Sequence, residues 1–267
     1  MKKWVVLSVM GALAFGFFMV PANAQNEVVE GWIPLKSEHF IVYYRGRDQK
    51  FPSLVLSQAE FYYDAIAVAL GYSRRDNFWL WEKRCLIYLY PSKTEFHHET
   101  RQAEWSGGYA VADKRTIVSY LGDSQFLDSI LPHELAHLVF RDFVGAHKPG
   151  IIPLWLDEGV AMSQEKAKRE YFDRLVAQMI SKKTWAPLKT LSQIRSLNGM
   201  DTHQSAIFYA ESQSLVRFLL GFGPTRFVQF CRDLRDGKTL EDAFRANYPN
   251  DFPSIQACED HWVHAHA

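Results

Sequence analysis

The sequence predicts an α+β fold, with a small mixed β-sheet in the first half of the chain and mainly helices in the second half. Short β-branched and aromatic runs at 40–44, 86–90 and 116–120 are typical of strands. Longer segments with apolar residues three and four positions apart, such as 203–221, are typical of amphipathic helices. Strands followed by a group of helices indicate the α+β class.

The first half combines these strands with one long helix. That helix is predicted over 52–70, and Gly71 stands where a C-terminal glycine cap belongs. Asp113-Lys114 predicts the turn of a hairpin whose strands are 109–111 and 116–120. We therefore expect a strand, a helix, a second strand and a hairpin, in that order.

The second half is predicted to be helical. Its first helix begins near Ser129 and ends at about Phe143 or Gly145. Pro132 is tolerated there because N–H groups in the first turn have no partner within the helix. Further helices are predicted at about 154–180, 203–221, 224–235 and 239–246.

The N-terminus predicts a secretory signal peptide over residues 1–24. A short basic start precedes an apolar run at 4–20, and Ala22 and Ala24 are the small residues that a signal peptidase requires. Cleavage near Ala24 releases 25–267 into the periplasm or outside the cell. An uncleaved membrane anchor is the alternative, although the run is only marginally long enough to cross a bilayer.

The remainder is predicted to be a single domain. No internal repeat, low-complexity tract or flexible linker interrupts residues 25–267. We expect an α+β lobe over about 25–145 and a helical lobe over about 146–267.

The composition excludes two classes of partner. The chain has 30 basic and 30 acidic side chains, whereas a general nucleic-acid binder needs an excess of basic residues for phosphate contacts. After the N-terminal segment there is no second long apolar run, so we expect no membrane span in the exported part.

The three cysteines leave the disulfide pattern open. Cys85 lies in an apolar run and is predicted to be a buried thiol. Export to an oxidising compartment favours a bridge between Cys231 and Cys258, but three free thiols are the alternative.

The segment His133-Glu134-Leu135-Ala136-His137 has the form HExxH. On a helix, positions i and i+4 share one face, so both imidazoles can reach the same Zn²⁺ ion. Glu134 can then accept a proton from zinc-bound water, whose pKa the metal lowers to about 7. The alternative is a pair of core histidines with a glutamate in the first helical turn.

A catalytic zinc needs a third protein ligand and one open position. Glu158 is the candidate, since it lies 21 residues after His137, beyond a turn at Pro149-Gly150. Gly159 is unusual inside a helix, and close packing against the helix of His137 would explain it. The alternative is a solvated Asp-Glu pair at a helix start, where the helix dipole favours it.

Together, HELAH and WLDEGVA (155–161) resemble the gluzincin metallopeptidases, and more closely the peptidase MA-like families of exported or envelope bacterial proteins. The resemblance implies a zincin-like fold and hydrolysis of peptide bonds. It implies that His133, His137 and Glu158 bind one Zn²⁺ and that Glu134 is the general base.

Two differences from related metallopeptidase classes limit the activity that this resemblance implies. The Gly-Ala-Met-Glu-Asn sequence that anchors a free amino terminus is absent, so aminopeptidase activity is not implied. Phe140 and Phe143 occupy the positions at which metzincins carry Gly and His.

Two further elements have open interpretations. The segment around Tyr209 is similar to a Tyr-containing helix of the resembled families, and its hydroxyl can donate a hydrogen bond to the oxyanion. Tyr209 can equally be a core residue. The segment 107–111 corresponds to an edge strand that pairs with extended substrate in the resembled fold, or it is an ordinary hairpin strand.

The sequence therefore predicts an exported zinc metallopeptidase that acts on peptides or proteins. The alternative is a non-catalytic cell-envelope protein that binds peptide on a zincin scaffold. Histidines near the C-terminus (His261, His264 and His266) are interpreted as part of a frayed, solvated tail. The oligomeric state is open.

Overall fold

The computed structural model describes residues 31–71, 79–80, 83–102, 106–123, 125–146, 148 and 150–266. The predicted signal peptide over 1–24 lies outside these residues. The described residues divide into two compact units, the first within 31–65 and 79–135, and the second within 66–71 and 136–266. The boundaries at 65/66 and 135/136 each fall inside a helix, and the second is earlier than the predicted lobe boundary near residue 145.

The first unit contains a five-stranded mixed sheet, in the order β1-β2-β3-β5-β4. Its strands are β1 (Ile33–Lys36), β2 (Phe40–Tyr44), β3 (Cys85–Tyr90), β4 (Gly108–Val111) and β5 (Thr116–Tyr120). The three central strands are parallel, and β1 and β4 are antiparallel edges. The predicted mixed sheet is confirmed, although the sequence patterns did not predict β1.

Aromatic side chains pack on both faces of the sheet. On one face, the ring of Phe40 lies 6.0 Å from that of Tyr63, which belongs to the long helix α1 (Lys50–Ala69). On the other face, Tyr43 stacks on Tyr88 with ring centroids 5.0 Å apart. The short helix α2 (Lys93–Thr100) adds the fully buried Phe96 to this second face. Burial on both faces explains why β2 and β3 are apolar at nearly every position.

The edge strand β4 lies against the segment that leads into the next helix. A single π-helical turn, Phe126–Ile130, precedes α3 (Leu131–Val144). A Cβ atom at Gly108 would lie 3.0 Å from Ile130 Cγ2 and 3.0 Å from the Val118 carbonyl oxygen. The absence of side chains at Gly107 and Gly108 therefore allows β4 to approach the start of α3.

The second unit is helical, as predicted, but its elements differ in detail. They are α4 (Leu154–Gln164), α5 (Arg169–Lys182), α6 (Leu188–Leu191), α7 (Thr202–Gly221), α8 (Pro224–Arg235), α9 (Leu240–Asn247) and α10 (Ile255–His264). No helix among the described residues is long and apolar enough to cross a membrane.

The single helix predicted over 154–180 is wrong, because the chain breaks after α4. Glu165 is fully buried there and forms an ion pair with Lys168, with 2.7 Å between Oε2 and Nζ. A short 3₁₀ turn, Lys166–Lys168, carries the chain into α5. A charged residue therefore lies in the interior at the junction between α4 and α5.

The frayed tail predicted near the C-terminus is also wrong. Trp262 on α10 is buried, and its indole Nε1 donates to Ser214 Oγ at 2.9 Å. The Nε2 atom of His266 lies 3.0 Å from the same oxygen. These hydrogen bonds hold the last helix on α7, while His261 and His264 stay exposed.

Two arginines of α8 satisfy the C-terminal carbonyl groups of α3. Arg232 Nη2 donates to the Phe143 carbonyl oxygen at 2.9 Å, and Arg235 Nη1 donates to that of Val144. The last carbonyls of a helix have no partner within it and carry partial negative charge, so both contacts stabilise this end.

The close approach of α4 to α7 explains the glycine inside α4. A Cβ atom at Gly159 would lie 2.6 Å from Val216 Cγ2 and 2.8 Å from the Ser212 carbonyl carbon, both on α7. The expectation that Gly159 packs against the helix of His137 is therefore wrong. One turn further along α4, Gln213 Nε2 donates to the Met162 carbonyl oxygen at 2.7 Å.

We expect Gly159→Ala to lower the free energy of unfolding by roughly 1–3 kcal/mol, because its methyl group overlaps the backbone of α7. This loss exceeds the gain of about 1 kcal/mol in helix propensity. Urea denaturation measures it. Gly221→Ala is the matched control, since a Cβ atom there meets open space. Equal stability of the two variants would contradict the close packing.

Candidate metal centre

The HELAH segment lies on α3, as predicted, and its polar side chains are buried. His133 is fully buried, Glu134 is 5% exposed and His137 is 6% exposed. Between them, Leu135 and Ala136 are fully buried, so the helix is surrounded by protein at this point. Two buried imidazoles one turn apart on such a helix need polar partners.

Glu158 of α4 joins the two histidines. One ligand atom from each of His133, His137 and Glu158 lies within 4.8 Å of the others. His137 Nε2 is 3.7 Å from Glu158 Oε2, close to the roughly 3.4 Å between two ligand atoms of a tetrahedral zinc site. The donor set of two imidazoles and one carboxylate could therefore hold a metal ion, and it fits a three-ligand site with an open fourth position.

Asp157, next to Glu158, orients the second histidine. Its Oδ1 atom lies 3.2 Å from His137 Nδ1. A proton on Nδ1 directs that nitrogen to Asp157 and leaves Nε2 with a lone pair toward Glu158. Metal-binding histidines usually have such a carboxylate on the second ring nitrogen, because it fixes the tautomer and the ring orientation.

Arg141 holds Asp157 in place from the other side. Its Nε atom donates to both carboxylate oxygens at 3.1 Å, and its Nη2 atom donates to Oδ2. The planar guanidinium matches a carboxylate in this arrangement. Asp157 is 5% exposed and Glu158 is 6% exposed. The alternative of a solvated Asp-Glu pair is therefore wrong.

Neither Asp157 nor Arg141 was predicted from the sequence as part of the site. The spacing of Arg141, four residues after His137, places it on the same helix face and could have indicated its role. Asp157, the acidic residue directly before Glu158, is the partner that this arginine binds.

The carboxylates around His137 favour a positive charge. Burial by itself lowers the pKa of His137, but the Asp157 and Glu158 carboxylates outweigh burial and raise that pKa to about 9. Burial also opposes ionisation of Asp157, yet His137 and Arg141 hold its pKa well below its usual range. The centre therefore attracts a cation, either a proton on His137 or a metal ion that replaces that proton.

A family model described as the Peptidase MA superfamily matches residues 80–265, which is most of the chain. The chain belongs to the Peptidase MA superfamily. The match includes α3, α4 and α7, and it agrees with the resemblance seen in HELAH and WLDEGVA.

Comparisons with curated proteins and with solved structures do not refine the assignment to the Peptidase MA superfamily. No curated protein matches this sequence. Among solved structures, yeast LTA4 hydrolase in complex with bestatin is similar, with 13% sequence identity and a TM-score of 0.45. The similarity covers 82% of this chain and 37% of that chain. This chain therefore spans well under half the length of that protein.

Tyr209 lies on the side of α7 that faces α4 in this Peptidase MA chain. Ser212, Gln213 and Val216 approach α4, and Tyr209 precedes them by three, four and seven residues, which places it on the same helix face. Its side chain is 5% exposed. This position agrees with both interpretations of Tyr209, as a core residue and as a donor near the centre.

The cysteines supply no ligand among the described residues. Cys85, Cys231 and Cys258 are all buried free thiols, so the favoured disulfide is not present. Burial raises the pKa of the Cys231 thiol, and the nearby Asp157 carboxylate raises it further. Cys231 therefore stays protonated beside the carboxylate that orients His137.

A second buried carboxylate, Glu211, lies on α7 away from this group. Its Oε1 atom accepts from the Ala186 backbone N–H at 2.8 Å, while its buried Oε2 atom has no hydrogen-bond partner. Glu259 of α10 accepts from the Leu188 N–H at 2.7 Å and from the Trp185 indole at 3.1 Å. Burial, followed by the charge of Glu259, raises the pKa of Glu211 to about 7.

We expect Asp157→Asn to weaken metal binding about 10–100-fold, because the amide cannot supply the charge that orients His137. Competition with a chromophoric chelator measures the dissociation constant. Asp260→Asn, which removes an exposed carboxylate on α10, is the control. Unchanged affinity in Asp157→Asn would show that the ring is oriented without this carboxylate.

We expect Glu211 to make stability depend on pH. Its folded-state pKa of about 7 exceeds the ordinary value of 4.5, so the folded state binds the proton more tightly. Stability therefore falls as the pH rises from about 4.5 to about 7, and stays level above that range.

Glu211→Gln removes this dependence and keeps an acceptor for the Ala186 N–H. At pH 8 it should be more stable than the parent protein by roughly 2–3 kcal/mol, with little difference at pH 4. Urea denaturation at both pH values measures this, with the exposed Glu170→Gln as the control. Parallel pH curves for Glu211→Gln and its parent would exclude the raised pKa.

Proposed function

We propose that this protein is an exported zinc metallopeptidase of the gluzincin type. The observation that carries the proposal is the buried group of His133, His137 and Glu158, with Asp157 behind His137. Structural zinc sites usually have four protein ligands and are rich in cysteine, whereas this group offers three without a thiol. Membership of the Peptidase MA superfamily supports the same function.

The three proposed ligands differ in charge. His133 and His137 contribute neutral nitrogens, and Glu158 contributes one negative charge. Zinc bound there supplies Lewis acidity, which lowers the pKa of water and polarises the carbonyl group of a peptide. Arg141 and Asp157 keep His137 in its orientation, so the ring does not have to reorganise when the ion binds.

Glu134 acts as the general base and then as the general acid. It follows His133 directly on α3 and is 5% exposed, so its carboxylate is largely shielded from bulk water. It accepts a proton from the attacking water and returns that proton to the leaving amine. Tyr209 donates its hydroxyl hydrogen to the oxyanion, a contact worth roughly 2–4 kcal/mol at such sites.

Extended peptide is the substrate class that the first unit fits. β4 is an edge strand, so one side of its backbone faces away from β5 and can pair with another strand. Gly107 and Gly108 bring this edge against Ile130, one turn before His133. Backbone pairing at this edge selects peptide while placing few demands on side chains.

Export follows from the signal peptide predicted over residues 1–24. The sequence pattern alone supports this part of the proposal.

Metal content and turnover test the proposal together. We expect about one zinc per chain by elemental analysis of the purified protein. Glu158→Ala should lose it, while Glu170→Ala, an exposed glutamate at the start of α5, should retain it. Cleavage of a peptide mixture, followed by mass spectrometry, should require the zinc.

Glu134→Gln separates an enzyme from a binding protein on the same scaffold. The amide is nearly the same size but cannot take a proton, so we expect zinc to remain and turnover to fall roughly 100- to 10,000-fold. Tyr209→Phe should keep zinc and lower kcat about 30–1,000-fold. Zinc without turnover in the parent protein would favour peptide binding, and no zinc after reconstitution would reject the peptidase and leave the binding protein as the remaining function.

A further inference from the structure

The turn that leads into α7 contains the pair Asn198-Gly199. It is the one place in the sequence where glycine follows asparagine. Both residues are exposed, and the Met200 N–H donates to the Leu197 carbonyl oxygen at 3.0 Å, which closes the turn. Gly199 has a φ of +88°, the sign that the third residue of a type II turn requires. The pair therefore lies at the tip of a tight turn that water can reach.

Asparagine followed by glycine is a chemically labile pair. Asparagine is thermolabile, because the backbone nitrogen of the next residue can attack its side-chain carbonyl carbon, Cγ, and close a five-membered ring. A side chain on that next residue crowds the attacking nitrogen, and glycine has none. A Cβ atom at Gly199 would meet open space, so the surrounding protein does not crowd this residue either. The pair has the composition and the space that ring closure needs.

Few hydrogen bonds restrain the reacting groups. Within the part of the chain that the structure describes, no group accepts from the Gly199 N–H and none binds the side-chain amide of Asn198. Asn247 shows the opposite arrangement, since its Nδ2 atom donates to Asp233 Oδ2 at 2.8 Å and to the Ala243 carbonyl oxygen at 2.9 Å. The side chain of Asn198 can therefore rotate toward the Gly199 nitrogen, whereas that of Asn247 is held in place.

We propose that Asn198 deamidates spontaneously through a succinimide that it forms with Gly199, and that the isoaspartate product loosens the start of α7. The Gly199 nitrogen loses its proton and bonds to Asn198 Cγ. The bond from Cγ to Nδ2 breaks, and Nδ2 leaves as ammonia with the equivalent of that proton. No oxidant, metal ion or second protein takes part, and the inference does not rest on the proposed peptidase activity.

Water then opens the succinimide ring in one of two ways. Addition at Cγ breaks the new bond to the Gly199 nitrogen and leaves aspartate at position 198. Addition at the main-chain carbonyl carbon breaks the original peptide bond and leaves isoaspartate, whose main chain runs through Cγ. Both products carry a carboxylate in place of the amide, so each gains a negative charge and is about 1 Da heavier than the parent chain.

Isoaspartate changes the turn from which α7 starts. Its main chain is longer by one carbon atom, so it cannot close the same turn between Leu197 and Met200. Asp201, the next residue, caps α7: its Oδ1 atom accepts from the Gln204 N–H at 2.8 Å, and its own N–H donates to Gln204 Oε1 at 3.0 Å. We expect the longer chain to displace this cap, whereas the aspartate product keeps the ordinary main chain and the turn.

Mass spectrometry of the folded protein, incubated in warm, mildly alkaline buffer before digestion, tests the reaction. We expect the peptide of Asn198 to gain mass roughly tenfold faster than that of Asn250, an exposed asparagine that Asp251 follows. A protein isoaspartate methyltransferase should label position 198. Asn198→Gln is the matched control, because its longer side chain disfavours ring closure, and it should keep its mass.

Thermal denaturation tests the effect on α7. The aged parent protein should melt about 2–4 °C lower than fresh protein, the shift expected for the loss of one helix cap in a chain of this size. Asn198→Asp, which supplies the aspartate product with an ordinary main chain, should melt like the fresh parent. Aged Asn198→Gln should also be unchanged, which would show that ageing damages no other part of the protein.

Each of three results would overturn the inference. The first is an intact Asn198 in protein whose Asn250 has gained mass. The second is aspartate at position 198 without isoaspartate, which indicates direct hydrolysis of the side chain and no succinimide. The third is isoaspartate at position 198 with an unchanged melting temperature, which shows that the turn accommodates the longer main chain.

Discussion

The ionic contact from Arg141 through Asp157 to His137 is the constraint on which the candidate site depends. It joins α3 and α4 at the residues that must be fixed relative to each other, since α3 supplies both histidines and α4 supplies Glu158. A buried carboxylate without a partner would be costly, whereas one shared by a guanidinium and an imidazole is satisfied on both sides. The same carboxylate raises the pKa of His137 and makes the centre attractive to a cation.

The helices around this contact limit how far it can move. On one side, the glycine of α4 lets the backbone of α7 approach closely, and Gln213 binds a carbonyl of α4. On the other side, Arg232 and Arg235 bind the last carbonyls of α3. Tight packing of this kind holds ligands in one geometry without help from a bound ion. Specific packing and charge, more than hydrophobic burial alone, therefore define the site.

The sequence predicted the elements whose patterns are local. The strands at 40–44 and 116–120, the helical placement of HELAH and the position of Glu158 beside the two histidines follow from short sequence segments. The break after α4 could not be read in this way, because burial of Glu165 depends on the surrounding helices. The last helix was missed for the same reason, since Trp262 is anchored by Ser214, 48 residues away. Asp157 was ambiguous until Arg141 was seen beside it.

The short distance along the chain between the ligands has a consequence for folding. His133, His137, Arg141, Asp157 and Glu158 all fall within 26 residues, so one helix–loop–helix segment contains every donor and its orienting groups. Contacts between nearby residues cost little chain entropy to form and tend to form early. We therefore expect the segment of α3 and α4 to form early in folding, with these side chains gathered before the distant C-terminal helix docks. The donors are therefore local in the chain, whereas the packing that fixes their geometry comes from α7 and α8, which lie more than 40 residues further along.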